Sequence, residues 1–172
     1  MMDGVAEYSK GDWLVHCYHG LGKIKGIESK RINGEETEYY RVEAEDAVFW
    51  VPVEESEDSR VRPVTPRRKL MKALKVLKTP PKKMADAYQK RQQRIRAAKN
   101  DGSIDAICII IRDLTARRRE KGLNENEKRA LGFFKGLLLN EWSVSADVPH
   151  EDARKELRKL LMTSDALSEE VS

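Results

Sequence analysis

"WLVHCYHGLGKIKGIES", Trp13–Ser29, places two histidines and a cysteine within four residues of a chain that has three His and two Cys in all. As backbone, the stretch is β-branched and aromatic up to a His19-Gly20 turn. It then intersperses the apolar Leu21, Ile24 and Ile27 with polar residues and glycines, a composition that suits a half-buried strand. Downstream, "RINGEETEYYRVEA" sets Asn33-Gly34 between two strand-like runs, the strongest short hairpin signal. "DAVFWVPVEES" is a further β-rich run, and Pro52 marks a strand end or sheet edge. No helix of useful length fits this region. Short strands with glycines at the turns predict a small twisted sheet or barrel of about 55 residues.

The alternative for His16-Cys17-x-His19 is chemistry. Zinc takes about four protein ligands in structural sites, or three and a water in catalytic ones. Along a strand, Cys17 faces opposite to His16. No second cluster completes the set: His150 stands alone before the last helix, and Cys108 falls on an apolar helical face. Cys17 as a nucleophile lacks an oriented base and an oxyanion site. No phosphate loop, dinucleotide fingerprint or zinc-protease motif occurs. The expectation is a binding protein, not an enzyme, with no catalytic residue, metal or cofactor.

Charge is segregated along the chain. Residues 1–64 carry 8 Lys/Arg against 14 Asp/Glu, whereas residues 65–99 carry 13 against the single acid Asp86. The rest is nearly balanced, with 12 against 14. A segment so one-signed points to a polyanionic partner for that segment alone. The longest apolar run, "AICIII" from Ala106, is too short for a membrane span. No secretory h-region opens the chain, and two isolated cysteines make no disulfide framework. Together these imply a cytoplasmic protein that does not enter the membrane.

From Arg67 the apolar period becomes helical. "PRRKLMKALKVLK" lines up Leu70, Met71, Leu74 and Leu77. A second helix is expected from Thr79 as N-cap and Pro80 at N1, with Met84, Tyr88, Ile95 and Ala98 inward. Ser103 caps a third, which stops at Gly122. Asn124 and Glu127 form a capping box for a fourth with Leu131, Phe134, Leu138 and Trp142 inward. Ala153, Leu157 and Leu160–Leu161 line a fifth. The expected fold class is α+β in two domains: residues 1–64 as the β module, 65–69 as linker, and 70–172 as a helical bundle with a frayed tail over 163–172.

Gly11-Asp12, His19-Gly20-x-Gly22, Gly26-Ile27-Glu28, Gly34, Tyr39-Tyr40, Val51-Pro52 and Val61-Arg62 follow one another in an order that resembles the CarD/CdnL family of bacterial transcription regulators. "KALKVLKTPP" and "ARRREKGLNENEKRALGFFKGLLLNE" extend the likeness into the helical region, and it spans roughly residues 8–162. The resemblance implies a Tudor-like (SH3-like) β-barrel that docks edge-to-edge on the RNA polymerase β subunit, with Lys30, Arg31, Ile32, Trp50 and Pro52 as the docking residues. It further implies a helical domain on upstream promoter DNA that stabilises the open complex, in a protein acting as a monomer. Lys82, Lys83, Met84, Lys90, Arg91 and Arg94 are the DNA-contacting candidates. Met84 stands where the family has a tryptophan wedge, so it is either a substitute wedge or a core residue. The cations would grip phosphates without reading bases. The competing reading is a Tudor- or KOW-like module that binds nucleic acid without polymerase.

Overall fold

Asn33 and Gly34 both take positive φ, 54° and 81°, the conformation a two-residue type I′ hairpin turn requires. This turn joins the two longest strands of the N-terminal unit, β2 (Gly20–Ile32) and β3 (Glu35–Ala44). The structure, a computed structural model, describes residues 8–54 and 60–170, with side chains through 162. It separates into two compact units, Met1–Val64 and Thr65–Ser172. In the first, β1 (Trp13–His16), β4 (Val48–Pro52) and β5 (Val61–Pro63) complete an antiparallel five-stranded sheet in the order β4-β3-β2-β1-β5. The α+β architecture expected from the pattern of periods is the one found.

Period-two alternation sends Leu14, Ile24, Val42, Val51 and Val61 inward with Tyr40 to form the β core. A register shift between Ile24 and Gly26 bends β2, as an extra residue in one strand does. Beyond it Ile27, which pairs opposite Tyr40 on the core face, is exposed, so the far half of the β2–β3 hairpin projects past the core. Gly22 has a packing reason to be glycine. A Cβ there would lie 2.4 Å from Cγ1 of the fully buried Val42.

The second unit contains α1 (Arg67–Leu74), a 3-10 turn (Lys75–Lys78), α2 (Tyr88–Asp101), α3 (Ile104–Glu120), α4 (Glu125–Ser145) and α5 (His150–Glu170). Its boundaries follow local chemistry. Gly102 ends α2 at φ 65° and Gly122 follows α3 at φ 79°. The Ser103 hydroxyl accepts from the Ala106 amide, and Asn124 with Glu127 forms a complete capping box. Leu70, Leu77, Ile107, Ile111, Leu114, Phe134 and Leu138 are fully or almost fully buried at its centre.

Four expectations are corrected. Residues 65–69 are not a linker: the buried Thr65 donates its amide to Glu141 Oε2 (2.7 Å), its carbonyl accepts from Ser145 Oγ (2.5 Å), and α1 begins at Arg67. The second helix starts at Tyr88, not Thr79. Two consecutive prolines hold 80–81 extended, while the Thr79 hydroxyl donates back to Val76 O, closing the preceding turn. Tyr88, expected inward, is 46% exposed. Finally, helical backbone continues to Glu170 through most of the expected frayed tail.

Replacing Gly22 by alanine forces a methyl into a filled site, which costs about 1–3 kcal/mol. Urea unfolding of Gly22→Ala is expected to show this loss, and an unchanged midpoint would contradict the packing described.

Candidate docking and nucleic-acid-binding surfaces

The strand register sorts the docking candidates. Trp50 lies opposite Arg41, Pro52 opposite Tyr39, Lys30 opposite Thr37 and Ile32 opposite Glu35. Lys30, Ile32, Trp50 and Pro52 therefore share one face of the sheet, and Arg31 points to the other. Trp50 is not a core residue. It is 40% exposed, the Lys30 ammonium sits 3.4 Å above its ring, and its indole N–H donates to Glu28 Oε2 (2.9 Å). Arg41 approaches the same Glu28 at 3.8 Å. These contacts hold a large aromatic flat on the surface, with the exposed Val48 two residues away on the same face of β4. β4, which carries Trp50, is an outer strand, paired among the described residues with β3 alone.

The histidine cluster resolves as structure. His16 Nδ1 accepts from the amides of Tyr18 (3.0 Å) and His19 (3.2 Å), closing the turn between β1 and β2. The His19 ring stacks on Phe49 with 5.0 Å between centroids. His16, more than His19, thus fixes the bend. Among the described residues no group of three or more His, Cys, Asp or Glu could hold a metal.

In the helical unit the cationic candidates divide into two classes. Arg91 is buried: its Nε donates to Glu127 Oε1 (2.5 Å) and its Nη1 to Asp86 O (2.5 Å) and Ala85 O (3.3 Å). Arg94 pairs with the buried Asp113, whose Oδ1 also accepts from the Lys82 amide and from Arg112 Nε, each at 2.9 Å. These acids lie 36 and 19 residues away in sequence, so the notion that only Asp86 opposes the cations of α2 fails. Met84 is 3% exposed and packs in the bundle core. The extended 79–87 segment, tied down on both sides, carries it inward. As folded here, Met84, Arg91 and Arg94 organise the unit and are not free to grip DNA.

Lys82, Lys83 and Lys90 are exposed. A cleft of about 300 Å³ runs between 81–84 and the end of α3, with Lys82, Lys83, Arg117, Arg119 and Lys121 on its walls. Lys121 pairs with Asp86 (2.6 Å), and this bond holds the Asp86 carboxyl below its ordinary range. A second, shallow groove on α2 is lined by Tyr88, Gln89, Gln92, Gln93 and Arg96. Arg96, Arg119 and Lys121 were not among the sequence candidates. The signal for the last two was the "ARRREKG" run closing α3.

Comparison with known proteins agrees with these two units. Residues 8–65 match the family model of the CarD-like/TRCF RID domain, and residues 72–158 match that of the CarD C-terminal domain. The chain belongs to the CarD/CdnL family. It is also 27% identical over 136 residues, 78% of its length and 89% of the relative's, to "Putative transcription factor YdeB" of Bacillus subtilis (strain 168). CarD proteins are transcription factors rather than enzymes, in keeping with a site made of surfaces. Among the described residues no helix is long and apolar enough to cross a membrane.

Removing one member of a buried ion pair costs about 3–5 kcal/mol because the other charge is stranded. Arg91→Met should therefore lower stability by about 3 kcal/mol in chemical unfolding, with the exposed Lys90→Met within about 0.5 kcal/mol of the parent. Equal effects would contradict the division into buried and free cations. Burial, aided by Asp105 and Glu141, pushes the Cys108 thiol up to about 12. Since the thiolate is the reactive form, maleimide at pH 8 should label the half-exposed Cys17 and spare Cys108 until the chain unfolds.

Proposed function

We propose that this CarD-family protein regulates transcription by docking its β module on the β subunit of bacterial RNA polymerase and laying the cationic face of its helical unit on promoter DNA, thereby stabilising the open complex. One observation carries the docking half: Trp50 is held exposed by Lys30 and Glu28 on an outer strand. An unpaired strand edge can extend a partner's sheet through backbone hydrogen bonds, with neighbouring side chains giving selection. An aromatic at such an edge is the usual anchor of an interface. The match of residues 8–65 to the RID type supports the same partner.

The DNA half rests on charge geometry. Lys82, Lys83, Lys90 and Arg96 are exposed on one continuous stretch of the helical unit, and none approaches an acid within salt-bridge distance among the described residues. Lysine and arginine in such an array neutralise phosphates and carry little base information. With Met84 inside the core, no wedge residue acts at that position. Opened DNA is then braced by electrostatic contact, and duplex binding is sequence-tolerant and steeply salt-dependent. An acidic β module avoids the same polyanion, so each unit addresses a different partner.

Two variants separate the halves. Trp50→Ala with Lys30→Glu should abolish capture by an isolated polymerase β lobe and leave forked-DNA affinity unchanged. Lys82→Glu, Lys83→Glu and Lys90→Glu together should leave capture intact and flatten the slope of log affinity against log salt by about 3, near 0.9 per phosphate contact. The competing reading, a nucleic-acid module independent of polymerase, requires that the parent chain is not captured at all.

A further inference from the structure

The helical unit has a second concavity, remote in sequence from the 79–87 segment and made by α3, α4 and α5. It encloses about 340 Å³, within the range of small-molecule sites. Its apolar lining comes from Leu139, Leu157 and Leu161, with the exposed Met162 at one side. Its charged groups, among the described side chains, are of one sign: Arg118 from α3, Lys135 from α4 and Arg154 and Arg158 from α5 all line it, and no described carboxylate does. Arg154 alone of these has an ion-pair partner among the described residues, Glu151 at a loose 3.9 Å.

Two features set this cavity apart from an ordinary solvated basic surface. Lys135 is half-buried against its own kind: desolvation, then Arg118 and Arg158, hold its ammonium below its ordinary pKa. Thr115, 5% exposed, also lines the cavity, and its hydroxyl is buried without a hydrogen-bond partner. A buried unsatisfied hydroxyl costs about 1–3 kcal/mol, and converging like charges repel. An anionic oxygen among these cations neutralises them, and a rotation of the Thr115 side chain lets its hydroxyl donate to the same oxygen. The leucine floor, in turn, favours a ligand with an apolar body.

We infer that the α3–α4–α5 cavity binds a small amphipathic anion, a compact apolar body bearing one phosphate or carboxylate group, with the anionic group at Lys135, Arg118 and Arg158 and the body on Leu139, Leu157 and Leu161. The site stands apart from polymerase docking and from DNA contact, and survives the failure of either.

Octyl phosphate and octanoate, added separately to the full-length ¹⁵N-labelled chain, test it. At least one should bind saturably at one equivalent, shifting amide resonances around Thr115, Lys135 and Leu157; which one does so assigns the headgroup. Octanol and inorganic phosphate should bind at least about tenfold more weakly, each lacking one half of the recognition. Lys135→Gln and Arg158→Gln should each weaken binding about tenfold, the worth of one charge-assisted hydrogen bond. Lys90→Gln should leave it unchanged. Arg158 is exposed, so Arg158→Gln tests the site even if Lys135→Gln perturbs the fold, which a thermal melt would reveal. Failure of both probes to saturate, shifts scattered over the bundle, or equal affinity in Arg158→Gln overturns the inference. So does a short DNA duplex that moves these resonances when neither probe does.

Discussion

Two buried carboxylates, Asp113 on α3 and Glu127 on α4, organise the helical unit. An ionised carboxylate taken out of water costs several kcal/mol unless cations and amides replace the lost hydration. Asp113 takes Arg94, Arg112 and the Lys82 amide; Glu127 takes Arg91 and the Asn124 amide. Both therefore recruit from the most cationic part of the chain. They pull α2 onto α3 and α4 and draw the extended 79–87 segment after it, with Met84 as its apolar anchor. What is left outside is decided by subtraction. Lys82, Lys83, Lys90 and Arg96 stay in solvent because the carboxylates and the core have claimed their neighbours.

The β module works by a different rule. Its core is small, six buried residues among those described with a few partly buried neighbours, and it leaves uncovered the far half of the β2–β3 hairpin and the outer edge and Trp50 face of β4. Such exposed edges invite association, and here the aromatic beside the edge is pinned rather than hidden. Lys30 and Glu28 fix the Trp50 ring from two sides, so little side-chain entropy remains to be lost on binding. The many acids of this unit discourage contact with nucleic acid, which suits the protein partner proposed for it.

Much of the fold was legible because its signals are local. Asn33-Gly34 can hardly form anything but a tight hairpin turn, and Ser103, Asn124 with Glu127, Gly102 and Gly122 mark helix ends by short-range hydrogen bonds and φ. The family likeness rests on motifs of the same kind. The candidate site was less legible because it depends on pairs distant in sequence. Nothing near Arg91 announces Glu127, and nothing near Arg94 announces Asp113. Met84 fell correctly on an apolar stripe, but the stripe was assigned to a helix that Pro80 and Pro81 prevent. Thr65 looked like a joint because its partners, Glu141 and Ser145, are on α4. The histidines drew attention as chemistry, although the acceptor nitrogen of His16 takes two amides of its own turn.

On the function proposed above, exposed lysines, and not a wedge at position 84, brace the opened promoter. The lifetime of the polymerase–promoter open complex, followed after a competitor challenge, tests it most directly. The parent chain should lengthen that lifetime, and Met84→Leu, which keeps the core filled, should lengthen it equally. The combined charge reversal of Lys82, Lys83 and Lys90 should abolish the effect. A lifetime that survives the charge reversal but collapses with Met84→Leu would contradict the account.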